Sequence, residues 1–251
     1  MAATKTWDAT RPAVMRAMAG ILAVALLLSF TACDNDAERQ VKGLKMQVQD
    51  LYGAKDFTKG LDVSQKGFAL ARKVMGDTAP DTLYFAQAIS ENQLGLHNAQ
   101  GAMRALKQEL ALRSNAGQSE KKLQSHRTLL IKLAQESGDS STAIDQTVII
   151  AKAVGMGSGK EPQPTYKADT DYPPDLYRQH VEGDVEIAFD LDEDGKPVGA
   201  RVSKATPPNV FDSAALESFR KWRFTPYIEN DAPVSSTGHH FTLAFRMGRA
   251  G

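Results

Sequence analysis

Gly53, Gly95 and Gly138 each close an apolar-periodic segment and open a short polar turn, at separations of 42 and 43 residues. The turns read Gly53-Ala54-Lys55-Asp56, Gly95-Leu96-His97-Asn98 and Gly138-Asp139-Ser140-Ser141. A second series, Gly76, Gly117 and Gly155, ends the segments that follow. Glycine accepts the left-handed backbone conformation that closes helices. A recurrence of this length predicts stacked helix pairs, each burying its apolar face on the next. The helical region is expected over residues 34–155. Leu61, Phe68, Leu70, Ala71 and Val74 supply one apolar face, and Leu83, Ala86, Ile89 and Leu94 another. Ala99, Ala102 and Ala105 allow close helix approach. A six-helix bundle without true repeats remains the alternative.

Residues 156–171 are rich in glycine, proline and polar residues, which predicts a linker. Extended as polyproline II it would reach about 50 Å. Gly155-Met-Gly-Ser-Gly-Lys160 has the glycines of a phosphate loop but the wrong spacing, and Glu161-Pro162 follows where a Ser or Thr should open a helix.

The pattern changes over residues 172–248. Val185, Ile187, Phe189 and Leu191 alternate with polar residues, predicting a half-buried strand. Asp194-Gly195 signals a hairpin, and Val198, Ala200 and Val202 mark the return strand. Phe211, Ala215, Phe219 and Trp222 fall on one helical face, with Asn209 or Asp212 as candidate caps. Phe241, Leu243, Phe245 and Met247 share one face of a last strand. The expected class is α+β. A helical-hairpin region precedes a three-stranded antiparallel sheet packed on a helix, with Val185, Ile187, Phe189, Phe211, Phe219 and Trp222 as core.

At the other end, Lys5, Arg11 and Arg16 precede Ala17–Cys33, an uncharged stretch of 17 residues. As a helix it would span about 25 Å. Basic, then apolar, then small residues is the order of a signal peptide. Two readings stand: an uncleaved anchor, or cleavage at Cys33. Either places the rest of the chain outside the cytoplasm.

Chemistry-bearing patterns are sparse. Thirty basic residues balance thirty acidic ones, so no basic footprint suggests nucleic acid. A single cysteine excludes an intramolecular disulfide and any multi-cysteine zinc site. Asp190-x-Asp192-x-Asp194-Gly195 imitates half a calcium loop, but Arg201 stands where the closing Glu belongs. His239 and His240 are neighbours on a strand and point to opposite faces, an exposed pair unable to clamp one metal. No nucleophile, carboxylate pair or zinc-helix motif is present, and neither enzyme activity nor a cofactor is expected.

Three resemblances add to this reading. Phe30-Thr31-Ala32-Cys33 resembles a bacterial lipobox, which implies lipidation at Cys33; Asp34 after it resembles an inner-membrane retention signal. The stretch 71–82 resembles tetratricopeptide repeats of the longer kind, which implies a concave surface for a protein partner of unknown identity. Tyr172-Pro173, Glu182-Gly183-Asp184-Val185, Asp194-Gly195, Phe211-Asp212 and Trp222-Arg223-Phe224-Thr225-Pro226 follow in order and together resemble the C-terminal domain of the TonB family. In that reading Gly183 lets the chain turn sharply into its strand.

The TonB resemblance implies a periplasmic protein of the Gram-negative envelope. It implies binding of an extended segment of TonB-dependent outer-membrane receptors beside the last strand. Energy for uptake of siderophores or similar nutrients would come from an ExbB–ExbD-type motor. The receptor-contacting residues it implies are Tyr172, Pro173, His239, His240, Phe241, Thr242, Leu243, Ala244, Phe245 and Arg246. Two parts of such a transducer are missing from the pattern. The apolar run has no histidine, and helices stand where a long proline-rich spacer would be. The alternative is an envelope lipoprotein scaffold that binds proteins without transducing energy.

Overall fold

The computed structural model describes residues 36–247. Cys33 and the apolar run before it lie outside the described residues. Among the described residues, no helix is long and apolar enough to cross a membrane.

Helix α1 covers described residues 36–53. It is followed by α2 (Phe57–Met75), α3 (Pro80–Gly95), α4 (Ala99–Asn115), α5 (Glu120–Ser137) and α6 (Ser140–Ala153). The breaks fall at the turns the glycine spacing predicts. Asp56, Asn98 and Asp139 each cap the following helix by accepting a backbone N–H three residues on. The glycines do two different jobs. Gly76, Gly117, Gly138 and Gly155 have positive φ, but in the first two polar turns the left-handed residues are Lys55 and His97. Gly95 is needed for space instead, because a Cβ there would lie 2.5 Å from the Phe57 ring.

The chain divides into two compact units, before and after the Leu96–His97 junction. In the first, Val41, Val48, Ala71, Phe85 and Ala88 form a buried cluster. Phe85 lies against Gly67 of α2, where a Cβ would come within 2.2 Å of the ring.

The second unit holds α4, α5 and α6 together with the sheet region. Its main sheet has three antiparallel strands in the order β3-β2-β7, from β2 (Gly183–Leu191), β3 (Pro197–Thr206) and β7 (Ser236–Phe245). Short ladders join β1 (Pro164–Tyr166) to β4 (Arg223–Phe224) and β5 (Tyr227–Glu229) to β6 (Ala232–Val234). Helix α7 (Pro174–Arg178) precedes β2, and α8 (Asp212–Phe219) follows β3. Val185, Ile187, Phe189, Leu191, Phe211, Phe219, Trp222, Leu243 and Phe245 are buried in one core with Phe224. At roughly 1.5–3 kcal/mol per fully buried large apolar side chain, this cluster is the main stabilising term of the sheet region.

Several local expectations are corrected. The helix after β3 ends at Phe219, so Trp222 reaches the core from the turn beyond it, where its N–H bonds Phe219 O at 3.0 Å. Phe211 occupies the N-cap position and no side chain caps the helix, neither Asn209 nor Asp212. Residues 156–171 are not an extended spacer. Beyond strand β1, they exchange hydrogen bonds with residues 225–228. In the stretch that imitates a phosphate loop, Lys160 Nζ donates to Val154 O and Gly155 O, both at 2.8 Å, and so closes α6.

Candidate functional site

β2 is central, so β3 and β7 are the edges of the main sheet. They differ. The pairing of β3 with β2 shifts register twice, between Glu186 and Ile187 and between Ala188 and Asp190. Such bulges, with Arg201 and Lys204 alongside, blunt an edge against further pairing. β7 pairs in unbroken register with β2 from Phe245 to His239.

The backbone direction of β7 follows from two side-chain bonds. Glu186 O accepts from Ser203 of β3, and Gly183 O accepts from Arg246 beyond β7. Even-numbered residues of β2 therefore face β3, and odd-numbered ones face β7. Val185 and Ile187 stand opposite Leu243 and Phe241, which makes these the hydrogen-bonded pairs. The N–H and C=O groups of Thr242 and Ala244 point away from β2, to the unpaired side.

A groove of about 460 Å³ runs along that side. Phe241 to Arg246 form one wall, Lys167, Thr170 and Tyr172 the other, and the Trp222 ring lies at the floor beneath Lys167. Trp222 Nε1 donates to Ala168 O at 3.1 Å, and the Thr170 and Ser218 hydroxyls are 2.8 Å apart, so the second wall is pinned to the core. Tyr172 packs edge-on against Phe211 and Phe245, and its hydroxyl donates to Val181 O. Lys167 Nζ stands 5.2 Å from the centres of both the Trp222 and Phe241 rings. The groove thus offers outward backbone groups, an aromatic floor and one cation held over two ring faces.

The residues expected at the contact do not all meet here. Tyr172, Phe241, Thr242, Leu243, Ala244, Phe245 and Arg246 line the groove. Pro173 lies just outside it, at the N-cap of α7. His240 is on the solvent-facing side, with Nδ1 3.2 Å from Glu186 Oε1. Hydrogen bonds from Ser203 and then His240 hold the Glu186 carboxyl below the ordinary range. His239 corrects the expectation of an exposed pair: it is buried against Phe189 and Tyr227, with Nε2 2.7 Å from Ser236 Oγ. Burial pushes its pKa down, which favours the neutral ring. Lys167, Thr170 and Trp222 also line the groove, and nothing in the sequence pattern marks them as contact residues. The first two sit in the stretch read as linker, where only the final fold reveals a wall.

The half calcium loop is turn chemistry. Asp192 Oδ1 accepts from the backbone N–H of Asp194 and Lys196, and Asp190 Oδ1 from Gly238. Among the described residues no cluster of three or more His, Cys, Asp or Glu is placed to hold a metal.

Comparison with known proteins places this geometry. Residues 168–247 match the family described as Gram-negative bacterial TonB protein C-terminal. These residues form a TonB-type C-terminal domain. Protein TonB of Yersinia enterocolitica is 31% identical over 98 residues, which are 39% of this chain and 36% of that protein. The chain therefore matches about a third of that relative's length. The solved TonB2 protein from Vibrio anguillarum is 29% identical and covers 38% of this chain and 89% of its own, with a TM-score of 0.29. The tetratricopeptide-like repeats of a kinesin light chain from Podosopora anserina are 13% identical. They cover 56% of this chain and 62% of their own, with a TM-score of 0.38. The TonB-type match thus follows a run of helices, and the groove lies on the open side of its last strand.

Proposed function

We propose that this is a TonB-like protein of the Gram-negative envelope that captures extended segments of outer-membrane receptors by strand addition to β7. One observation carries the reading: the outward amide and carbonyl groups of Thr242 and Ala244 face an open groove with an aromatic floor. A guest strand laid there would continue the sheet, with backbone bonds supplying affinity and alternate side chains meeting Trp222, Phe241 and Tyr172. Five residues of guest would span about 17 Å. In this reading the chain is tethered at Cys33 to the inner membrane, faces the periplasm, and serves uptake of siderophores or similar nutrients. An ExbB–ExbD-type motor would supply the energy.

A second reading is favoured by one feature, the helices that stand where a spacer would be. It is an envelope scaffold that binds an extended segment without transducing energy.

The test is calorimetric titration of the full chain with synthetic peptides copied from the N-terminal segments of the cell's own outer-membrane receptors. Thr242→Pro removes an outward N–H and leaves the bonds to β2 in place. The expected result is saturable binding that falls at least tenfold in this variant while the circular dichroism spectrum is unchanged. Equal binding by the variant rejects strand addition at β7. Failure of every receptor peptide to bind the folded protein favours the scaffold.

A further inference from the structure

The groove wall that faces β7 is not held by the TonB-type domain alone. It is the chain that leaves α6, and it is fastened to the helices on its way. Strand β1 lies between α6 and β4. The Thr165 hydroxyl donates to Arg223 O at 3.2 Å and stands 3.2 Å from the Thr147 hydroxyl of α6. Thr147 is fully buried, and Thr165 nearly so. Arg223, the second residue of the Trp222–Pro226 stretch, is also buried. Its Nη1 donates to Asp194 O at 2.7 Å. With the amide oxygen of Gln135 turned toward it, α5 accepts from Arg223 Nε at 2.6 Å and from Nη2 at 3.0 Å.

Backbone bonds extend the join. Thr225 N donates to Gln163 O and Gln163 N to the Thr225 hydroxyl, both at 2.9 Å, and Ile228 N donates to Met156 O at 3.1 Å. Lys167 follows Thr165 by two residues, about 7 Å of extended chain. A shift of β1 therefore carries Lys167 and the carbonyl of Ala168 with it. Those two groups contact the Trp222 ring on the groove floor.

We infer that α5 and α6 are part of the guest-strand site, with Gln135 and Thr147 as positioning residues that fix the wall formed by Lys167, Thr170 and Tyr172. The inference rests on the strand-addition reading for its effect on affinity, and on the helix contacts for its effect on the wall. The energetic reason is that a buried guanidinium or hydroxyl must keep its partners. Removal of the Gln135 oxygen leaves two donors of Arg223 without an acceptor, and the cheapest relief is to let β4 and β1 move outward toward water. The TonB-type domain is then not a bead on a string. Whatever binds the last helix pair acts on the width of the groove.

Hydrogen exchange of the full chain tests this without any ligand. In the Gln135→Ala, Thr147→Val double variant, the Thr225 and Ile228 amides and the Trp222 indole N–H should exchange at least tenfold faster. Val185 and Ile187, in the central strand, should be unchanged. Gln135→Glu restores an oxygen acceptor and should restore slow exchange when Thr147 is intact. Binding of a ten-residue receptor peptide should weaken about fivefold in the double variant and recover in Gln135→Glu. If the double variant is too unstable to study, Thr147→Val alone should give the same local pattern at smaller size. Unchanged exchange at Thr225, Ile228 and Trp222, or an equal rise at Val185 and Ile187, overturns the inference. If exchange responds locally and the wild-type protein binds no peptide, the positioning stands and only strand addition falls. If exchange responds and peptide affinity does not, the wall is irrelevant to the guest and the inference is overturned.

Discussion

A Cβ added at Gly183 would lie 2.7 Å from the Phe211 ring and 2.7 Å from Thr206 O. Its φ is not among the positive ones, so the sharp turn expected at Gly183 is not why glycine stands there. The reason is space: β2 begins directly under a fully buried ring that stacks on Phe245 at 4.2 Å. Gly183→Ala must push Phe211 or the end of β3 aside, and an overpacked site of this kind costs about 1–3 kcal/mol. Urea unfolding should show a loss in that range, and an unchanged midpoint would mean that the Phe211 site is looser than its contacts indicate. The sequence pattern pointed to glycine here but could not give its cause. Period-two alternation is a local property, so Val185, Ile187 and Phe189 were legible as core. The clash partner of Gly183 is 28 residues away and becomes visible only when the sheet is assembled. His239 is a second case. Alternation put it opposite His240 and on the face of Phe241, Leu243 and Phe245, so its burial was legible, but its partners Phe189 and Tyr227 were not.

Helices α4 and α5 are clamped by a buried carboxylate. Glu109 of α4 is fully buried, with Oε1 2.7 Å from Arg113 Nε and 3.2 Å from His126 Nε2 of α5. Burial pushes this carboxyl up, but the hydrogen bonds from His126 and Arg113 outweigh it and hold it below the ordinary carboxylate value. A carboxyl whose pKa is lowered by folding stabilises fully above its unfolded value, about 4.3, and that contribution is lost as pH falls through the folded value. Glu109→Ala should therefore cost about 3 kcal/mol near neutral pH, as removal of one partner from a buried ion pair does. The deficit should shrink as pH falls below the unfolded value and through the lowered folded one, where the wild-type carboxyl itself protonates. Urea unfolding at the two pH values measures this, and an equal deficit at both would assign the loss to packing rather than charge. At this scale the glycine spacing located the helix breaks well, because capping is a local interaction. Helical spacing misled at the end of α8, and composition misled on residues 156–171. Trp222 continues the helical spacing of Phe211, Ala215 and Phe219 although the helix has already ended. A proline-rich stretch reads as spacer whether it is free or, as here, bonded through Gln163 and Thr165 to residues far along the chain.

For the chain as a whole, the anchoring chemistry decides by which route a pull could reach the guest strand. A motor in the membrane can pull only on something that reaches it. An uncleaved run from Ala17 to Cys33 would put protein into the bilayer, about 25 Å of helix against a hydrocarbon core of about 30 Å. Cleavage with lipid on Cys33 would leave acyl chains alone there. Any pull would then have to enter through another protein docked on the helices, and the join between α5, α6 and the β7 groove would carry it to the guest strand. The lipid anchor makes a direct forecast. Cys33→Ser should accumulate in cells as a heavier species that retains the apolar run, and it should not incorporate labelled palmitate, whereas the wild-type protein should be lighter and labelled. Mass spectrometry of the purified membrane fraction reads both. A wild-type protein that keeps residues 1–32 and carries no label would instead make the run a spanning anchor. Direct coupling to a motor would then be the simpler route, and the helices would be left free for a separate partner.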